Sequence, residues 1–190
     1  TNINGHGSLG GIVASFGGLA ITNCHVTNTT SIHANGQEDF EGERAGGIVG
    51  VMNGGIVSYG PEVNTISYCT SAVTINAENN DYSGGFGGIV AYMNPIRCTL
   101  SHNIVDGATL SGKERYGLGA ILGSCLSNYV RDYSFDHNYY HNCTINGETN
   151  ATGRGYSTTS ASAHYVYSYA ADITENDGIV LGFALFDDGS

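Results

Sequence analysis

The sequence contains no tryptophan, two prolines and one lysine, Lys113. Lysine and arginine together number 6 against 17 acidic residues, a net charge of −11. Nucleic acid is held by clustered cations that displace its counterions, so no nucleic-acid partner is expected, and an anionic membrane surface is disfavoured for the same reason. No apolar run approaches the ~18 residues of a membrane-spanning helix. The longest, from Ile179 to Phe186, has the length of a strand. Proline is scarce and the glycines follow no three-residue period, which excludes collagen. With 12% charged and 41% hydrophobic residues, the balance is the reverse of a disordered chain. The five cysteines show no C-x-x-C pair and no Cys/His ligand spacing, so neither a metal nor a cofactor is expected. Thr1 stands where Met would begin a full chain, the mark of a processed or trimmed protein.

Glycine, at 29 of 190 residues, is what the chain has in excess. It falls in a recurring phrase. Gly10-Gly11-Ile12-Val13-Ala14 returns as Gly46-Gly47-Ile48-Val49-Gly50 and as Gly87-Gly88-Ile89-Val90-Ala91. Looser copies are Gly119-Ala120-Ile121-Leu122-Gly123 and Gly178-Ile179-Val180-Leu181-Gly182. Successive Ile residues lie 36, 41, 32 and 58 positions apart, a period that signals stacked supersecondary units. A glycine pair reaches positive φ and lets backbone pass close to backbone, so it should mark the sharp entry to the first strand of each unit.

A second phrase lies inside each unit: an apolar residue, two variable ones, then Cys or Asn. It reads Ile21…Cys24, Ile66…Cys69, Leu100…Asn103 and Phe135…Asn138. Positions i and i+3 of a flat strand face opposite ways, so if both point inward the chain bends between them. Asn side chains stacked at such a corner form a hydrogen-bonded ladder, and Cys fits the slot as a small apolar residue. Each unit holds three β-prone segments ended by Gly, Asn or Asp, and no helical stripe persists over three turns. The expected fold is all-β: a single domain, residues 1–190, forming a right-handed parallel β-helix of about four to five coils. The coils run roughly over residues 9–45, 46–86, 87–118 and 119–155, with a terminal coil or strand over 156–190.

The Gly-Gly-Ile-Val phrase resembles the GLUG motif of bacterial surface adhesins and IgA-peptidase-type surface proteins. Together with Phe135-Asp136-His137-Asn138 and Gly119-Ala120-Ile121, it also resembles the repeats of polymorphic outer-membrane proteins. The chain departs from the latter in carrying Ile where Ala is usual after the glycines, and in having one strict F-x-x-N. The resemblance spans roughly residues 9–145. It implies a right-handed parallel β-helix, secreted or on a cell surface. Neither motif is catalytic, so no catalytic residues are assigned.

The cysteines at Cys24 and Cys69 are expected as an inward stack of thiols, continued by Asn103 and Asn138 as a structural ladder. Parallel in-register neighbours sit farther apart than a disulfide prefers. His137 and His141, four apart beside Asp136 and near Arg131, would suit a metal on a helix; in a strand-and-turn context they read as polar surface residues. A β-helix lyase needs a base beside clustered acids, and Lys113, Arg115 and Arg131 are the sparse candidates. The acidic stretch from Glu38 to Glu43 and the group Asp172, Thr174, Asn176 and Asp177 read as solvated loops rather than calcium sites. Tyr165, Tyr167 and Tyr169 alternate along one strand, a row suited either to covering the last coil or to contacting sugars or protein partners. Asn28, Asn142 and Asn150 head N-x-Ser/Thr sequons that matter only in a secretory pathway. The first repeat begins within ten residues of Thr1 with no cap before it. The expected partners are therefore the rest of a longer surface protein or further copies stacked head to tail into a fibre. The functional expectation is an extracellular, non-enzymatic structural or adhesive element. The alternatives are a carbohydrate-active β-helix, acting as a polysaccharide lyase or hydrolase, and a glycan-binding module.

Overall fold

The structure is a computed structural model that describes residues 1–17, 20–35, 43–53, 63–77, 85–94, 97–112, 117–125, 132–147 and 173–175. All regular structure among these residues is β-strand, and every strand pairing is parallel.

The strands, numbered in chain order, form five sheets. The first holds β1 (Asn2–Gly5), β6 (Ser31–Ala34), β11 (Thr74–Ala77), β16 (Thr109–Gly112) and β21 (Thr144–Ile145). The second holds β2 (Ser8–Gly10), β7 (Arg44–Gly46), β12 (Gly85–Gly87) and β17 (Gly117–Gly119). The third holds β3 (Val13–Phe16), β8 (Val49–Asn53), β13 (Val90–Asn94) and β18 (Leu122–Cys125). The fourth holds β4 (Ala20–Thr22), β9 (Asn64–Ser67), β14 (Arg97–Ser101) and β19 (Asp132–Asp136). The fifth holds β5 (His25–Val26), β10 (Thr70–Ser71), β15 (Ile104–Asp106), β20 (Asn138–His141) and β22 (Ile173–Glu175). Each strand from β1 to β16 pairs with the one five places later, and β22 pairs with β20. From β1 to β21, every fifth strand therefore joins the same sheet, and each set of five successive strands is termed a round.

Five strands per round replace the three segments expected from sequence. Two corners account for the difference. The glycine phrase separates the second sheet from the third, and a residue in left-handed conformation separates the fourth from the fifth. The left-handed residue leaves β-prone residues on both sides, and the short strands before the glycine phrase, such as Gly85–Gly87 and Gly117–Gly119, hold too few β-prone residues to be read as strands.

The four described glycine phrases lie in register. Ile12 N donates to Ile48 O at 3.2 Å, Ile48 N to Ile89 O at 3.0 Å, and Ile89 N to Ile121 O at 3.0 Å. One half of the expected reason for the glycines is wrong. None of the described phrase glycines has positive φ; the described glycines that do are Gly7, Gly107 and Gly147. Crowding is the cause instead. A Cβ on Gly11 would lie 2.1 Å from Gly47 O, one on Gly47 2.0 Å from Gly88 O, and one on Gly88 2.0 Å from Ala120 O. Real Cβ atoms do not approach backbone oxygen that closely, so successive rounds can meet here only without side chains.

The core is a set of files running across the rounds. Ile32, Ile75 and Leu110 fill the first sheet's inner face and are fully buried. Ala45 beside Phe86 in the second sheet pairs a small with a large residue, which keeps the interior close-packed. Ile48, Ile89 and Ile121 are likewise fully buried, as are Ile66 and Leu100 in the fourth sheet. Burial of each such side chain contributes roughly 1.5–3 kcal/mol.

Candidate functional site

The corner between the fourth and fifth sheets combines an unusual backbone with a concentration of polar and aromatic groups. Asn23, Tyr68, His102 and His137 occupy it in successive rounds, and all four have φ between 52° and 55°. Asn tolerates this conformation; Tyr and His rarely enter it, at a cost of about 1–2 kcal/mol each. A left-handed residue at the third position of the second phrase is what lets Ile66 and Cys69, or Leu100 and Asn103, both turn inward.

Inside the corner runs an amide ladder. Asn138 Nδ2 donates to Leu100 O at 2.5 Å, and its Oδ1 accepts from Asn103 Nδ2 at 2.9 Å and from Asn103 N at 3.3 Å. Asn103 Nδ2 also donates to Ile66 O at 3.0 Å, while its Oδ1 accepts from Cys69 N at 3.0 Å. Both amides are fully buried, and this bonding offsets the desolvation that burial imposes. Below them the ladder changes chemistry. The Cys69 thiol contacts Ser67 O at 3.3 Å and Ile21 O at 3.9 Å, and the Cys24 thiol contacts Thr22 O at 3.5 Å. Both are free thiols. Burial pushes Cys69 up to about 11, so its reactive thiolate is suppressed at neutral pH. Cys143, one corner further on, is also free, and burial raises its pKa too.

Outside the corner runs a file of rings. Tyr68 stacks on His102 with centroids 4.9 Å apart and planes at 21°, and His102 stacks on His137 at 4.9 Å and 12°. His137 meets Tyr139 edge-on at 6.5 Å. The ring spacing matches the ~4.8 Å separation of paired strands, so the stacking follows from the register. Close by, His25 Nδ1 lies 2.7 Å from Thr70 Oγ1, and His141 Nδ1 lies 3.3 Å from Asp106 Oδ1. These groups bind hydrogen-bonding partners at their edges. No described group of three or more His, Cys, Asp or Glu residues is placed to hold a metal ion.

A second polar surface covers the outer face of the first sheet. It carries Asn2 and Asn4 on β1, Ser31 and His33 on β6, Thr74 and Asn76 on β11, and Thr109 and Ser111 on β16. The intervening Ile32, Ile75 and Leu110 point to the core. None of the eight outer residues is Asp, Glu, Lys or Arg. Ser31 Oγ bonds Asn2 Oδ1 at 2.5 Å, and Thr144 Oγ1 bonds Thr109 Oγ1 at 3.3 Å on β21 above.

The structure brings Asn103 and Asn138 into direct contact and sets Cys69 and Cys24 in the slots beneath. Asn28 and Asn142 are exposed, Asn142 in a left-handed turn. Tyr165, Tyr167, Tyr169 and Asn150 lie outside the described residues, as do Lys113, Arg115, Arg131 and the stretch 38–42. Sequence reasoning missed the ring file. Its signal was present: the residue before Cys69, Asn103 and Asn138 is a planar ring each time, at spacings of 34 and 35. Comparison with protein families, with characterised proteins and with solved structures finds no match to this chain.

Proposed function

We propose that the chain is a right-handed parallel β-helix of four to five coils that serves as an extracellular or cell-surface structural and adhesive rod. The observation that carries this reading is the pairing of each strand with the strand five places later, in all five sheets at once. A chain built this way extends along one axis, and its stability is the sum of contacts between adjacent rounds. The free thiols and the bonded amides fit a scaffold, since both are spent on holding rounds together. The resemblance of the glycine phrase to adhesin repeats supports the location. Small-angle X-ray scattering tests the shape: a rod cross-section is expected, and a sphere-like profile sinks the reading. Adhesion is tested with beads carrying the chain, passed over mucin and bacterial polysaccharide surfaces under flow. Retention no greater than that of albumin-coated beads removes the adhesive part.

A glycan-binding module is the second reading, favoured by the outer face of the first sheet. Its eight hydrogen-bonding side chains, none of them Asp, Glu, Lys or Arg, suit a neutral polyol, and an acidic chain that keeps carboxylates off one face avoids repelling acidic sugars there. Titration of an oligosaccharide panel against the parent and Asn76→Ala separates this reading from a pure scaffold.

A further inference from the structure

All five sheets end on the same round. β1, β2, β3, β4 and β5 are each an outermost strand, so the first round presents five open parallel edges among the described residues. Phe16, Ile21 and Val26 of this round are buried, but several of its other apolar residues are uncovered. Ile12 is 46% exposed, whereas Ile48, Ile89 and Ile121 in the same file are fully buried. Ile3, Leu9, Val13 and Cys24 are only partly buried, although they face the same core.

We infer that this end is a docking surface for a second copy of the chain, which adds to it as a further parallel round; the inference rests on the rod reading. The chemistry of the edge defines what fits. Within the stack, Gly46 O accepts from Gly11 N at 3.1 Å, and Ile48 O accepts from both Ile12 N at 3.2 Å and Val13 N at 3.0 Å. The next round repeats it: Gly87 O accepts from Gly47 N, and Ile89 O from Ile48 N and Val49 N. Gly10 O and Ile12 O hold the equivalent positions on the open edge. An occupant must therefore bring three consecutive amide donors, which bars proline. Its first residue must be glycine. Each phrase's second glycine lies with its missing Cβ about 2 Å from the carbonyl of the round beyond, and on the open edge that carbonyl is Gly11 O.

A partner that matches five edges at once, with a glycine-led triplet in register, is another round of the same kind. The contact continues the interface already present between rounds. Ala120-Ile121-Leu122 cannot supply the triplet, because the Ala120 Cβ would strike the Gly11 carbonyl. The Gly-Ile-Val triplets at residues 11–13, 47–49 and 88–90 already lie within the described rounds. The remaining ones in the sequence are Gly55-Ile56-Val57 and Gly178-Ile179-Val180, which lie outside the described residues. Contact of this head-to-tail type does not close on itself, so it lengthens the rod.

Sedimentation velocity on the 190-residue chain over a wide concentration range tests this. The parent should show mass that rises with concentration. Ile12→Asp and the milder Ile12→Thr should weaken association at least tenfold while keeping the parent's melting temperature, since Ile12 is exposed in the single chain. Val63→Asp, at a residue 39% exposed in the second round, should associate like the parent. A parent that stays monomeric overturns the inference, as does Ile12→Asp that associates normally or Val63→Asp that fails equally. Scattering from the monomer fraction separates the two levels: a rod-shaped monomer without association sinks only the docking, and a sphere-like monomer sinks the rod reading itself.

Discussion

Two corners of the same round solve the same problem in opposite ways. Where the second sheet meets the third, the chain has removed its side chains: Gly46, Gly47, Gly87 and Gly88 keep ordinary φ and leave no atom where a neighbouring carbonyl must pass. Where the fourth sheet meets the fifth, the chain keeps large side chains and accepts positive φ at Tyr68, His102 and His137. Stacked rings outside and bonded amides inside then occupy the space. The contrast separates two costs that are easily confused. A carbonyl 2 Å from a Cβ has no low-energy alternative, so crowding is an absolute constraint on residue type. A left-handed residue costs a bounded 1–2 kcal/mol, which neighbouring contacts can offset.

The largest expected effect comes from putting that distinction to a direct test. Gly47→Ala would set a Cβ 2.0 Å from Gly88 O and 2.3 Å from Ser71 Oγ. It should cost about 3 kcal/mol or more in urea unfolding, at the severe end of overpacking. Gly7→Ala is the counterpart, with φ of +85° and nothing within 4 Å of the added Cβ; about 1 kcal/mol is expected from backbone strain alone. Equal losses in the two variants would erase the difference between crowding and strain.

At the amide corner, Asn103→Ala removes the bonds to Ile66 O, Cys69 N and Asn138 and leaves all three groups buried. A loss of about 3 kcal/mol is expected, because an orphaned buried group costs more than a bond contributes. The companion change runs the other way. Cys69→Asn places an amide where the thiol reaches Ile21 O at only 3.9 Å. Extending the ladder by one rung should raise stability by about 0.5–1 kcal/mol. Destabilisation would mean that the lower rounds are too closely spaced for an amide.

A third corner, between the first and second sheets, uses a charge. Glu43 is fully buried; its Oε2 accepts from Gly7 N at 2.8 Å and its Oε1 has no partner. Burial raises its pKa above the ordinary 4.5, while the Gly7 N–H and the nearby His6 pull the other way. A raised pKa in the folded state means that folding favours the protonated form. The stability tied to that proton is present below 4.5 and is lost as pH rises through the raised value. The stability of the parent relative to Glu43→Gln should therefore decline as pH rises above about 4.5. A flat difference would show that the carboxylate is already compensated.

The difference between the corners also explains what the sequence disclosed. The glycine phrase was legible because crowding admits one residue type, so Gly-Gly-Ile repeats at the level of letters and marks where rounds stack. The inward Cys and Asn slots were legible for the same reason: a tight interior site limits size and polarity. The outward positions of that corner were not. Asn23, Tyr68, His102 and His137 share a backbone conformation but no side-chain type, and a Tyr or His before a Cys or Asn gives no hint of positive φ. The count of strands failed similarly. A corner made by one left-handed residue leaves β-prone residues on both sides, so β9 and β10, or β14 and β15, read as one segment.

The smallest expected effect decides whether the rings matter. In His137→Asn the backbone strain falls, since Asn enters the left-handed region far more readily than His. The stack on His102 at 4.9 Å and the edge contact with Tyr139 at 6.5 Å are lost. Relief of strain contributes up to about 1 kcal/mol, and an aromatic contact contributes about 0.5–1.5 kcal/mol. The two nearly cancel, so a change within about 0.5 kcal/mol is expected, and His137→Ala, which loses the stack without relieving the strain, should be worse by about 1 kcal/mol. If His137→Asn instead stabilises by a full 1 kcal/mol, the stack contributes nothing and the rings are retained for something they bind. Urea midpoints for the three chains, read at constant m-value, make the distinction.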